Sequence, residues 1–181
     1  MKTGAPIDHF DPRVAEDLEF DVIQAMLGEL AGCPSSEKRA QELMPSKDHS
    51  WVIQRLQETD EMQRIRAGSH GFPTLEFEEL KKEIKLLNVR DSVLDEKAFR
   101  RISTASRIMN LVLDVLAKSD EPWPRLEAVL AGQEPNTELI EAIDAVFDAK
   151  GQIRDDASHA LSQIRADMTT VRRKILSLIH I

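Results

Sequence analysis

The chain has 181 residues, 41% of them hydrophobic and 31% charged, with 7 Gly, 8 Pro, one Cys and a net charge of −8 at pH 7. That length suffices for one domain with a core, and the composition is that of a folded, helix-rich chain, not a disordered or fibrous one. The lone Cys33 excludes an intramolecular disulfide framework and a multi-cysteine zinc site, and the acidic balance speaks against generic nucleic-acid binding, which needs clustered Lys and Arg.

In chain order, residues 1–16 read as a leader carrying Pro6 and Pro12. Met1-Lys2-Thr3-Gly4-Ala5-Pro6 lacks the apolar stretch of a signal peptide, and no run approaches a membrane span, so a cytoplasmic protein is expected. The first helix is predicted from Ala15 to Ala31, with Val22, Ile23, Met26, Leu27 and Leu30 on one stripe and Gly32 ending it. Short and long helices follow over Glu37–Leu43 and from Asp48 or Ser50 to Ala67, the latter turning Val52, Leu56 and Ile65 inward. Gly68-Ser69-His70-Gly71-Phe72-Pro73 is a loop. A helix is predicted over Phe77–Leu87, with Leu80, Ile84 and Leu87 on one side and Glu78 and Lys82 paired.

Asp95 marks the next helix start, which runs to Lys118 and buries Phe99, Ile102, Met109, Val112 and Leu116. Pro122-Trp123-Pro124 breaks the chain before a short helix ended by Gly132. Thr137 is expected to cap the next helix, which carries Leu139, Ile140, Ile143, Val146 and Phe147. The total is about eight helices, with at most one extended piece at Gln152–Arg154. The predicted fold is an all-α multi-helix bundle over 17–150, followed over 151–181 by a long C-terminal helix that projects as an arm.

That arm organises the reading. Gly151 permits a tight turn, and Asp155, Asp156 and Ser158 are expected to accept from the free N–H groups of the helix start. Leu161, Ile164, Met168, Val171 and Ile175 then recur at alternating steps of three and four, an a/d seam that needs a partner helix. No second such helix stands upstream, so the chain reads as the front piece of a longer protein. Leu176 to Ile181 is abruptly apolar, reads as a foreign tail, and is set aside.

Chemistry is sparse. There is no G-x-x-x-x-G-K-[ST], no G-x-G-x-x-G and no Tyr, and no catalytic motif emerges. His9, His49, His70, His159 and His180 are scattered. Asp155, Asp156 and His159 have the residue types of a metal site, but the plainer reading is a capped helix start with His159 in its first exposed turn. Cys33 reads as filler, Trp51 and Trp123 as core rather than partner surface, and the charges from Glu76 to Lys85 as a solvated face. Arg165, Arg172, Arg173 and Lys174 form a basic patch on the arm, again read as a solvated face.

Two passages carry a resemblance. One is Leu18-Glu19-Phe20-Asp21-Val22-Ile23, continuing through Lys38-Arg39-Ala40 and Leu43-Met44-Pro45-Ser46 to Leu56-Gln57-Glu58-Thr59-Asp60-Glu61. The other runs from Ile143 through Gly151-Gln152-Ile153-Arg154-Asp155-Asp156-Ala157-Ser158 to Leu161, Ile164 and Arg165. Together they resemble the N-terminal region of the MutS family, over about Leu18 to Lys174. The nearer branch is the bacterial one that lacks the mismatch-reading front domains and carries a C-terminal Smr nuclease domain. The resemblance implies a helical core from which two lever helices reach a clamp, the returning chain entering an ABC-type ATPase that dimerises. It implies a parent that binds unusual DNA, hydrolyses ATP with Mg, can nick DNA, and restrains recombination or rescues stalled ribosomes. The nucleotide site, clamp tip and nuclease would all lie downstream of Ile181, leaving these residues as a core and lever without a cofactor of their own. The competing expectation is a stand-alone helical adaptor that dimerises through Leu161 to Ile175.

Overall fold

The computed structural model describes residues 11–68, 71–148 and 150–179. Most of the expected leader, Ser69 and His70 of the predicted loop, His9, and the last two residues of the apolar tail lie outside the described residues. Over the described residues the chain is all-α, as expected. Its helices are α1 (Pro12–Asp17), α2 (Phe20–Glu29), α3 (Pro34–Gln41), α4 (His49–Ala67), α5 (Lys81–Leu87), α6 (Glu96–Ala117), α7 (Pro124–Val129), α8 (Thr137–Val146) and α9 (His159–Ile179). None is long and apolar enough to cross a membrane.

The single helix expected over Ala15–Ala31 is two helices. Glu19 adopts a left-handed conformation (φ 51°) between them, and α1 folds onto α2. A non-glycine residue in that region costs about 1–2 kcal/mol, so no composition rule marks the break. α2 and α3 then pack as a hairpin. Gln24 of α2 donates its amide to the carbonyls of Gln41 (2.9 Å) and Leu43 (2.7 Å), satisfying acceptors that the end of α3 leaves open. Gly32 sits so close to the Leu75 carbonyl that a Cβ would drive into it.

That contact moves the start of α5. The Phe77 N–H donates to the Gly32 carbonyl at 3.3 Å, and the Ser35 hydroxyl donates to Glu79 at 3.0 Å. The chain around Leu75–Glu79 is thereby drawn along the α2–α3 turn, and α5 begins at Lys81 rather than Phe77. Glu78 lies outside the helix and does not make the expected pair with Lys82. It faces Arg101 of α6 instead, at 3.5 Å.

The centre is assembled by α4, α6 and α7. Asp48 caps α4 by accepting from the Trp51 N–H at 3.0 Å. From the buried side of the same helix, Glu61 accepts from the N–H groups of Arg125 (3.0 and 3.2 Å, one to each oxygen) and Leu126 (3.0 Å). A side chain of α4 therefore caps α7, whose own preceding residue, Trp123, supplies no side-chain cap. Ile65, Trp123 and Leu126 are buried beside this contact, with Met62, Phe72, Val115 and Leu116 packed against them.

α6 starts where Asp95 accepts from the Ala98 N–H at 2.7 Å. It packs on α8, which buries Ile140 and Ile143. The Phe99 and Phe147 rings meet at 5.4 Å, and Arg107 forks onto both oxygens of Asp144 at 2.5 Å each. The cap position of α8 belongs to Asn136, not to Thr137, which is the first helical residue. Asn136 is pinned through its own N–H, donated to the Asn110 side chain at 2.8 Å.

The predicted faces are only partly covered. Val22, Ile23, Met26 and Leu27 do share α2, with Leu30 just past its end, but all five are exposed, as are Leu56, Ile84 and Leu87. On α6 the buried residues are Ala98, Ser103 and Ser106, while Phe99, Ile102, Met109, Val112 and Leu116 are half-buried.

Candidate functional site

The site is the junction that carries the chain from α8 into α9. After Phe147 the backbone turns back on itself. Asp148 N–H donates to the Gln152 carbonyl (2.8 Å), and Arg154 N–H donates to the Val146 carbonyl (2.9 Å), setting Phe147 opposite Ile153 in one antiparallel bridge. The extended piece expected at Gln152–Arg154 is this single bridge. Gly151 stands at φ 77°, in the left-handed region that favours glycine, and donates to the Asp148 carbonyl at 2.9 Å. Asp148 Oδ1 accepts from the N–H groups of Lys150 and Gln152, each at 2.8 Å, and so holds the turn from inside.

At the start of α9 the three expected capping residues separate. Ser158 Oγ accepts from the Leu161 N–H at 3.2 Å. Asp155 and Asp156 bond to arginines instead of helix N–H groups. Arg165 of α9 donates to Asp155 and, at 3.2 Å, to the Ile153 carbonyl. Arg154 forks onto Asp156 with two contacts of 3.0 Å. The Arg154 guanidinium holds the Asp156 carboxyl below its ordinary value of 3.8, and is itself raised in return. The junction thus pairs Asp155 and Asp156 with arginines. Among the described residues no three His, Cys, Asp or Glu side chains gather as metal ligands.

The seam residues lie in a row on α9. Leu161 is half-buried, whereas Ile164 (56%), Met168 (66%), Val171 (54%) and Ile175 (52%) are exposed. The helix buries none of its residues and packs closely on no other helix among the described residues. Ile164, Met168, Val171, Ile175 and Leu176 border a shallow apolar groove along it. Leu176 and Leu178, assigned to the apolar tail, are exposed on the same helix.

Arg165 has a tertiary role at the junction that its place in the sequence does not signal. It was grouped with a solvated face, yet it ties α9 to the junction. Its partner Asp155 lies 10 residues away, beyond any helical spacing rule, so no local signal pairs them. Elsewhere, Trp123 is in the core at 4% exposure, and Cys33 sits ahead of α3 with Sγ 3.1 Å from the Ser36 hydroxyl.

No protein-family model matches the chain, and no solved structure matches it significantly. Curated relatives do. Proteins named Endonuclease MutS2 match from Symbiobacterium thermophilum (29% identity over 168 residues, 91% of this chain), Geobacillus sp. strain WCH70 (26% over 175 residues, 93%) and Staphylococcus carnosus (27% over 164 residues, 87%). The chain spans about a fifth of the length of these relatives, 21 to 22% of each. With matches that cover 87 to 93% of the chain and bear a single name, the chain is a homologue of these proteins named Endonuclease MutS2.

Proposed function

We propose that this chain is the helical core and first lever of a MutS2-like DNA-binding ATPase and endonuclease that acts in DNA repair or in restraining recombination, and that can also serve ribosome rescue. The observation that carries the reading is the match to proteins named Endonuclease MutS2 along most of the chain. The geometry agrees with it: α9 leaves a pinned turn with its apolar row uncovered. In this reading α9 is the first strand of a coiled-coil lever, and the core relays nucleotide state to a DNA clamp. ATP, Mg, DNA and the second subunit of a cytoplasmic homodimer are all bound by segments beyond Ile181.

Long-read sequencing of the source locus past the codon for Lys174 tests this. A continuing frame with a second heptad helix and then G-x-x-x-x-G-K-[ST] is the expected result. In that longer protein, Ile164→Glu abolishes the ATP dependence of DNA binding. A stop after Ile181 overturns the reading. The uncovered row on α9 then favours the second one, an adaptor that dimerises through Leu161 to Ile175, read by sedimentation as a dimer that Ile164→Asp dissolves.

A further inference from the structure

We infer that Arg165 is a latch that sets the direction in which α9 leaves the core. The inference rests on the lever reading for its functional meaning, and on the junction's geometry for its mechanics.

Among the described residues α9 packs closely on no other helix, so the contacts that fix its direction lie at its root. The root is a short series of contacts. Phe99 of α6 meets Phe147, Phe147 bridges Ile153, and the Ile153 carbonyl accepts from Arg165 of α9. One guanidinium nitrogen of Arg165 bonds that carbonyl and Asp155 together. It therefore spans residues 154–158, the backbone between the bridge and the helix. Without Arg165, the turn with its Arg154–Asp156 fork and the Ser158 cap would set the angle, and no bond would run from within α9 back to the bridge.

The returning backbone also has room to move. An open cleft of about 600 Å³ is bordered by Arg100, Ser103, Phe147 and Arg154. A second of about 680 Å³, which shares Glu96, Asp148 and Arg154 with the first, is bordered by Ile153 and Arg165. Both partners of the latch are reachable by water and salt, with the Arg165 side chain 40% and the Asp155 side chain 84% exposed. Exposed pairs of this kind are weak and are screened by salt. A weak contact at a root with clearance is what a hinge requires: it holds a direction, and a modest competing interaction releases it.

The test measures distance, not activity. Nitroxide labels go on Glu141→Cys in α8 and Thr170→Cys in α9, in a Cys33→Ser background, and pulsed dipolar spectroscopy reads the distribution. The latched chain gives one narrow distance. Arg165→Met and Asp155→Asn each lower the narrow component relative to the rest by about two- to fivefold, the range open to an exposed ion pair. High salt does the same to the unmutated chain. Asp155→Asn leaves α9 itself untouched, so it decides the matter if Arg165→Met fails to fold, with circular dichroism reporting helicity. A narrow distribution unchanged in Asp155→Asn and in high salt overturns the latch. Because no nucleotide or DNA enters this measurement, the latch can stand while the lever reading fails in the longer protein, and the reverse.

Discussion

At the scale of single residues, two buried glutamates do work usually given to apolar side chains. Glu61 closes the start of α7 from another helix. Glu61→Ala leaves N–H groups of α7 without a partner, and a loss of about 1–3 kcal/mol is expected as a lower Tm. Glu61→Gln keeps one acceptor oxygen and loses less. Glu83 of α5 is 3% exposed and binds Arg101 of α6. A hydrogen bond from its own backbone N–H lowers its pKa below the ordinary 4.5, burial opposes that, and Arg101 adds to the lowering. A depressed carboxyl stabilises the fold fully above its unfolded value and loses that contribution as pH falls through the folded one. Acidifying from about pH 5 should therefore lower the Tm of the unmutated chain more steeply than that of Glu83→Gln, which lacks the titration. Parallel slopes would show that Glu83 carries no such contribution.

At the scale of elements, Gly32 decides where α5 can begin, because the α2–α3 turn lies directly on the Leu75 carbonyl. Gly32→Ala forces the two backbones apart at a cost of about 1–3 kcal/mol. Amide exchange at Phe77 should quicken while that within α4 is unchanged. This contact also explains which elements were legible in the sequence. Asp48 and Asp95 mark their helices correctly because a cap is a bond to the next turn, within reach of local reasoning. Phe77 was placed in a helix because its neighbours have helical spacing, but the bond that removes it comes from Gly32, far along the chain. Glu19 turns the chain with no glycine to announce it. Periodicity told which residues share α2, yet it could not say that they stay largely exposed among the described residues. At the junction, Gly151 and Ser158 were readable as a turn and a helix start. The roles of Asp155 and Asp156 depended on which arginine reached them first, and that is a matter of tertiary geometry.

At the scale of the whole molecule, the apolar row of α9 should act without supporting the fold. Ile164→Asp, at a site already 56% exposed, is expected to change Tm by no more than about 0.5 kcal/mol equivalent. Self-association, followed by sedimentation over a concentration series, should nevertheless fall in that variant. A large loss of Tm would mean that α9 is packed more deeply than its exposure indicates. The sparse interior has a calorimetric consequence. No large side chain among the described residues is enclosed to below 2% exposure, and most apolar side chains of α2 and α9 already meet water in the folded chain. Unfolding can newly hydrate only what folding had dried. The heat-capacity increment should therefore fall below the usual ~12–15 cal/mol/K per residue, and the stability curve should be shallow, with a broad melting transition and weak curvature toward the cold.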